Sequence, residues 1–306
     1  MDVSIIIVNY NTKQLLADCL RSVYAKTSGI DFEVIVSDNG SSDGSVEMLK
    51  ADFPQVILIA NNANLGFGAA NNRGLSVAKG KYIFYLNSDT ILLNNAVKIF
   101  FDYFEKSGKK ENIGALGCNL LDASGNFQIS CMDFFSYKKH LSNVLHNVYG
   151  FSKLTLLHFL LRKPLPAPVH MTFYEKRLGE VDFISGADLF LRNDANARFD
   201  EHIFMYCEDQ LLCYLLAKQG KKRLLVDEPK IIHLEGASSK TKPKSIIHEK
   251  ATFSQLQDTM SRIYMFKKMG TNTIQTGILK FATLLLWLNP YIFPSAKKYI
   301  RKMLTI

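Results

Sequence analysis

The residues best equipped for chemistry fall into four polar clusters: Asp38; Asn64-Leu65-Gly66-Phe67-Gly68, followed by Asn71-Asn72; Asn87-Ser88-Asp89; and Glu208-Asp209. A carboxylate can hold a divalent cation, accept a hydrogen bond from a ligand N–H, or take a proton during a reaction. Glycine permits close approach of the backbone to a neighbour. His233, at the end of Ile231-Ile232-His233, adds a nitrogen donor suited to a cation. Each feature also has a plain structural reading. Asp38 suits an Asx-turn, and Asn87-Ser88-Asp89 suits a helix N-cap. Asn72 suits a helix surface, and His233 a structural place after a strand. Glu208 and Asp209 suit the first turn of a helix, where the macrodipole favours acids. The run Gly66-Phe67-Gly68-Ala69-Ala70-Asn71 is no dinucleotide fingerprint, because it lacks the third glycine and does not follow the first strand.

These residues need a scaffold, and the pattern predicts one. Val3–Val8 is a continuous apolar run, as in a parallel strand covered on both faces. The polar turn Asn9-Tyr10-Asn11-Thr12 follows, and then Leu15, Leu16, Cys19, Leu20 and Val23 recur at helical spacing. Phe32–Val36, Val56–Ile59 and Tyr82–Leu86 read as further strands, with a helix over Val46–Asp52. Ile113–Leu121 and Val181–Leu191 also read as strands. Lys138–Lys163 reads as a helix, stopped by Pro164, Pro166 and Pro168. A helix starts near Glu208, Lys222–Val226 and Ile231–His233 are strands, Gly236–Lys244 is a Ser/Lys-rich loop, and Ile246–Ile306 is helical. This rhythm predicts an open α/β sheet, in which ligands bind outside the carboxyl ends of the strands.

The chain has 306 residues, 47% apolar and 21% charged, which excludes a disordered or fibrous chain. Its five cysteines are odd in number and form no C-x-x-C pair, which argues against a disulfide framework and a structural zinc site. Residues 240–306 hold 12 Lys/Arg and two Asp/Glu, against 25 and 26 in the rest. Asp2 leads straight into the first strand with no basic leader, so a cytoplasmic location is expected. Ile278–Phe293 is apolar but too short to span a bilayer, with Trp287 and Tyr291 suited to headgroup level and Lys297, Lys298, Arg301 and Lys302 beyond. This reads as an in-plane anchor on an anionic leaflet of the membrane. The other reading is a helix packed on the core or on a second subunit of a homo-oligomer. The tail is too apolar for a nucleic-acid arm.

In this order, over roughly Val3–Ser239, the clusters resemble a family 2 glycosyltransferase of the GT-A fold, and within it the bacterial rhamnosyltransferase-like branch. The resemblance implies an α/β fold, with a Rossmann-like, mostly parallel sheet flanked by helices and a helical C-terminal extension. It implies inverting transfer of a sugar, L-rhamnose foremost, from a dTDP- or UDP-linked nucleotide sugar. The acceptor would be a growing cell-surface saccharide on a polyprenyl diphosphate, at the inner face of the membrane. By the same resemblance Tyr10, Asn11, Asp38, Asn64, Gly66, Asn72, Asn87 and Ser88 bind the donor, Asp38 reading its base. Gly66 and Gly68 let the backbone approach the donor. Asp89 and His233 would hold a divalent metal, Mg or Mn. Asp209 maps onto the general base, and Glu208 orients it or the acceptor. The turn Ser185-Gly186-Ala187 would pack beneath the acceptor. Two positions depart from the family: Asn87 replaces the first acid of Asp-x-Asp, and Leu211 replaces a later acid. The expected division is a nucleotide-sugar half (1–114), an acceptor half (115–239) and a membrane-associating tail (240–306). A nucleotidyltransferase is an alternative, although Asn9–Thr12 lacks the basic Gly-rich loop such enzymes place after the first strand. A non-catalytic sugar-nucleotide or glycan binder, degenerate at Asn87 and Leu211, is another.

Overall fold

A computed structural model describes residues 1–107, 110–161, 175–234, 253–289 and 293–306. The first half runs β1 (Val3–Asn9), α1 (Lys13–Lys26), β2 (Phe32–Asp38), α2 (Ser45–Asp52), β3 (Ile57–Ala60), α3 (Phe67–Leu75), β4 (Tyr82–Asn87), β5 (Thr90–Leu92), α4 (Ala96–Ser107), β6 (Ile113–Cys118), β7 (Cys131–Met132) and α5 (Tyr137–Leu161). Then come β8 (Gly179–Glu180), β9 (Phe183–Ile184), β10 (Asp188–Arg192), α6 (Glu208–Lys218), β11 (Lys222–Val226), β12 (Ile231–His233), α7 (Phe253–Lys268), α8 (Thr273–Trp287) and α9 (Phe293–Thr305). Pro164, Pro166, Pro168, the 236–244 loop, Pro290 and Tyr291 lie outside the described residues.

One sheet of eight strands has the order β3-β2-β1-β4-β10-β6-β11-β8. β3, β2, β1 and β4 are parallel, as the strand–helix rhythm requires. Val3, Ile5 and Ile7 of β1 face α1 and α4, while Ile6 faces the layer that holds Leu212 and Leu216 of α6. Helices on both faces explain why β1 is apolar at successive positions rather than alternately.

Two expected strands are shorter than their apolar runs. Val181–Leu191 is broken at Ser185-Gly186-Ala187, and only β10 after the break enters the main sheet, antiparallel between β4 and β6. The other strand stops at Cys118, and Leu121 forms isolated bridges to Phe127 and Ile232 instead. The short β5 has no signature in the apolar pattern. It pairs antiparallel with β12, setting Thr90 opposite His233.

The chain divides into two compact units, one of residues 1–134, 173–204 and 208–240, the other of 135–172, 205–207 and 241–306. The first holds the sheet and all of the expected half 1–114, but residues 135–172 and 205–207 of the expected half 115–239 fall in the second. The second is helical and takes α5 as well as the tail. Charge follows this division more closely than it follows chain order. The helical unit has 16 Lys/Arg and two Asp/Glu, net +14; the sheet unit has 21 and 26, net −5.

Inside the helical unit α8 packs on α5, α7 and α9. Tyr137 Oη donates to the Gln275 carbonyl at 2.7 Å, and a capping box of Asn272 and Gln275 starts α8. Trp287, expected at headgroup level, is buried. Among the described residues no helix is long and apolar enough to cross a membrane.

Candidate active site

The carboxyl ends of β1, β2 and β4 lie side by side in the sheet, and side chains knit them together. Asn9, fully buried, donates to Asp38 Oδ1 at 2.7 Å and to Ser41 Oγ at 3.0 Å. Its own Oδ1 accepts from Thr12 Oγ1 at 2.6 Å, and Thr12 Oγ1 lies 3.0 Å from Ser88 Oγ. Asp38 Oδ2 accepts the Ser41 N–H at 2.9 Å. Asp38, Thr12 and Ser88 thus form one chain of hydrogen bonds through Asn9. Asn11 has a positive φ of 55° and takes the Ser42 N–H on its Oδ1 at 2.8 Å, so its side chain fixes the 41–42 loop. Tyr10 beside it is exposed.

The Asn/Gly-rich segment is tied to its neighbours by side-chain and backbone hydrogen bonds. Asn64 Oδ1 accepts the Gly66 N–H at 2.9 Å and the Asn39 amide at 3.3 Å, so Asn64 holds its own loop to the end of β2. Gly66 has φ +89°, and a Cβ there would sit 2.1 Å from the Phe204 carbonyl oxygen. Phe67 N–H donates to that same carbonyl at 2.9 Å. At Gly68 a Cβ would meet Phe199 Cβ at 3.0 Å. Both glycines therefore admit the 199–204 segment. Asn72, expected to bind the donor, is tied to the 199–201 segment. Its two amide hydrogens go to the Phe199 carbonyl and to Glu201 Oε1, each at 2.9 Å, and its oxygen accepts Phe199 N–H at 3.0 Å. The Asn72–Glu201 bond is the main cause holding the Glu201 carboxyl below its ordinary range.

Beyond β4 the turn Asn87-Ser88-Asp89 meets β12. His233 Nε2 is 3.3 Å from Asp89 Oδ1 and 3.3 Å from Asn87 Nδ2. The Asp89 carbonyl accepts Leu234 N–H at 2.8 Å, and the Asn87 carbonyl accepts Thr90 Oγ1 at 2.8 Å. The floor below holds buried thiol and carboxyl groups. Burial pushes the Cys19 thiol up to about 12, which keeps it protonated and unreactive. Burial likewise raises Asp188 to about 7. Its Oδ2 accepts the Cys118 N–H at 2.6 Å, while Oδ1 has no partner among the described residues.

The chemistry of this donor set fits a divalent cation. Two ligands at right angles on one such ion, each about 2.1 Å from it, stand roughly 3 Å apart. The Asp89–His233 separation matches that edge. Among the described residues no group of three or more His, Cys, Asp or Glu converges as a cage. The pair offers one oxygen and one nitrogen donor to such an ion.

Asp209 opens α6 after an irregular segment rather than after a strand. Its Oδ2 accepts the Gly186 N–H at 2.9 Å, and a Cβ on Gly186 would press on the Phe67 ring at 3.1 Å. Glu208 is buried. Immediately before α6, Tyr206 and Cys207 have φ of 69° and 68°, a conformation that costs a non-glycine residue roughly 1–3 kcal/mol. The next residue of the small turn, Ala187, accepts Asn87 N–H at 3.1 Å. Adjacent residues of one turn therefore hold both acidic clusters. The sequence marks this turn for packing, and it marks Asn9 and Thr12 for no site role at all. Only a polar turn after β1 hints at them.

The mostly parallel sheet flanked by helices, with Asp38 and Asp89 at the carboxyl ends of β2 and β4, has the architecture of the GT-A fold. Residues 4–155 match the family described as Glycosyl transferase family 2, and the chain carries a domain of that family. It is 26% identical to the glycosyltransferase GlyG of Streptococcus pneumoniae over 67% of this chain and 64% of that protein. It is 27% identical to the N-acetylglucosaminyl-diphospho-decaprenol L-rhamnosyltransferase of Mycobacterium tuberculosis over 74% of this chain and 75% of that one. The chain thus spans just under two thirds of GlyG and three quarters of the mycobacterial protein. In fold it resembles the mannosyltransferase of Pyrobaculum calidifontis, with a TM-score of 0.53 and 17% identity over 99% of this chain and 75% of that one. It also resembles TarS of S. aureus, with a TM-score of 0.52 and 14% identity, over 99% of this chain and 55% of that chain.

Proposed function

We propose that the chain is an inverting glycosyltransferase. It moves a sugar from a dTDP- or UDP-linked donor to a lipid-linked or growing cell-surface saccharide at the cytoplasmic face of a membrane. The observation that carries this reading is the turn Ser185-Gly186-Ala187, which holds Asp209 on one side and the Asn87–Asp89 turn on the other. A displacement needs both a group that takes a proton from the attacking hydroxyl and a group that steadies the leaving diphosphate. Asp209 serves the first need. The acceptor oxygen attacks the anomeric carbon, its proton passes to the Asp209 carboxylate, and the bond to the donor's phosphate oxygen breaks. The Gly186 N–H keeps that carboxylate aimed. Asp89 and His233 would hold a divalent cation, which when bound neutralises charge growing on the departing diphosphate. Asp38, steadied by Asn9 and Ser41, offers its remaining acceptor capacity to the imide N–H of a pyrimidine base.

The finer specificity draws support from the relatives. The mycobacterial protein is named for transfer of L-rhamnose to a decaprenol-linked sugar. The Pyrobaculum structure is titled as a complex with GDP-Man and Mn2+. L-Rhamnose on dTDP is therefore the first donor to try here. The test is a panel of nucleotide sugars incubated with purified protein, with and without magnesium or manganese. Metal-dependent release of nucleoside diphosphate is expected. Thermal stabilisation without release, in the presence of a saccharide acceptor, would leave a sugar-nucleotide binder and defeat the catalytic reading.

A further inference from the structure

The helical unit has a surface that the catalytic reading does not use. α8 is apolar nearly all round, with Lys280 its one charged residue. A helix of that kind is normally enclosed. Here Leu279, Ala282, Thr283 and Trp287 are buried, yet Ile274, Ile278, Phe281, Leu285 and Leu288 are exposed, with Ile274 at 73% and Phe281 at 63%. Their spacing of four, three, four and three residues lines them along one helical stripe. α5, which packs on α8, repeats the pattern with Leu145, Tyr149 and Leu156 exposed. Scattered apolar residues on a surface need no explanation, but two stripes on neighbouring helices do.

Charge identifies the occupant. α5, α8 and α9 contain no Asp or Glu, and α9 exposes Lys297, Lys298, Arg301 and Lys302. A second copy of the chain would bring one net +14 unit against another. A nucleic acid would satisfy the cations but leave the apolar stripes in water. An anionic lipid bilayer satisfies both, since its headgroups attract Lys and Arg and its acyl boundary takes the apolar stripe. We propose that the α8 stripe, with that of α5, is a docking face for an anionic bilayer, seated by the exposed cations of α9. Insertion is by Ile274, Ile278, Phe281, Leu285 and Leu288 and not by Trp287, which faces inward.

The proposal stands on the helical unit alone, so its failure and that of the catalytic reading are separable. The full chain is spun with phosphatidylcholine vesicles with and without phosphatidylglycerol, across a salt series. Binding is expected only with phosphatidylglycerol, and it should weaken as salt rises. Ile278→Gln with Phe281→Gln should weaken it roughly tenfold or more, the scale of losing one well-buried apolar side chain. Lys297→Gln with Lys298→Gln should flatten the salt dependence. Donor turnover, thermal unfolding and circular dichroism should be unchanged in both variants. No sedimentation with anionic vesicles at low salt would overturn the proposal. So would a dimer in sedimentation velocity that the Ile278/Phe281 variant dissociates, or binding of single-stranded RNA in place of vesicles.

Discussion

In the sheet unit the apolar run Val3–Ile7 of β1 is wholly buried, whereas in the helical unit the equally apolar α8 leaves Ile274, Phe281 and Leu288 at 50% exposure or more. The strand is enclosed because its own unit supplies a helical layer on each face. The helix has neighbours on one face and solvent on the other. The charges differ in the same sense. Acids of the sheet unit such as Asp38 and Asp209 sit in fixed hydrogen bonds, while cations of α9 stand in water. Apolar content by itself does not tell a core from an interface; the number of covered faces does.

The comparison breaks most sharply at Asp209. Asp209→Asn keeps the shape of the side chain and one of its two backbone hydrogen bonds, to Gly186 or Gln210, but removes the proton acceptor. Turnover should fall roughly a hundredfold or more with nucleoside diphosphate affinity unchanged, measured by product release and calorimetry. Near-normal turnover would take Asp209 out of the mechanism. Next is Gly66→Ala, which forces a methyl against the Phe204 carbonyl at a φ of +89°. Roughly 2–4 kcal/mol of stability should be lost in denaturant unfolding. An unchanged midpoint would show that the 199–204 segment yields easily.

Asp89→Ala should cost the metal-dependent part of nucleoside diphosphate affinity, roughly tenfold or more, with His233→Ala costing less. Equal affinity with and without magnesium in the parent protein would refute the metal role of the pair. Asp188 gives a smaller, pH-dependent effect. Its folded pKa, raised by burial to about 7, exceeds the ordinary carboxylate value of 3.8. The unfolded chain therefore ionises this group first, and stability falls as pH rises from about 4 to 7. Asp188→Asn lacks that loss. It should melt a few degrees higher than the parent at pH 8, with the gap closing toward pH 4. A constant gap would place the effect in packing rather than ionisation. The smallest effect belongs to the other unit. A Cβ added at Gly277, inside α8, would meet nothing within 4 Å. Gly277→Ala should stabilise by about 0.5–1 kcal/mol, opposite in sign to Gly66→Ala, as denaturant unfolding would show.

Much of this arrangement is legible in the residues. Parallel strands covered on both faces leave continuous apolar runs, so β1, β2 and β4 declare themselves. Acids that follow such strands stand out against the apolar runs, which makes Asp38 and Asp89 visible as candidates beside their Asx-turn and N-cap readings. What stays hidden depends on partners distant in sequence. Asn9 looks like any turn residue until Asp38 and Thr12 close around it. Gly66 reads as a point of close approach, but the approaching group is Phe204, which local sequence does not name. The break at Ser185-Gly186-Ala187 is obscured because Val181–Ile184 and Leu189–Leu191 read as one apolar stretch. Trp287 fits a membrane interface by composition and is buried by helix phase.

The small turn between β9 and β10 acts as a caliper. Gly186 bonds to the start of α6 and Ala187 to the end of β4, so the two jaws share one short span. A displacement of that span bears on both jaws at once. A substitution at Gly186 that pushed on Phe67 would therefore act on both. On the catalytic roles proposed for Asp209 and Asp89, such a variant should shift acceptor preference, as turnover across a panel of saccharide acceptors would show.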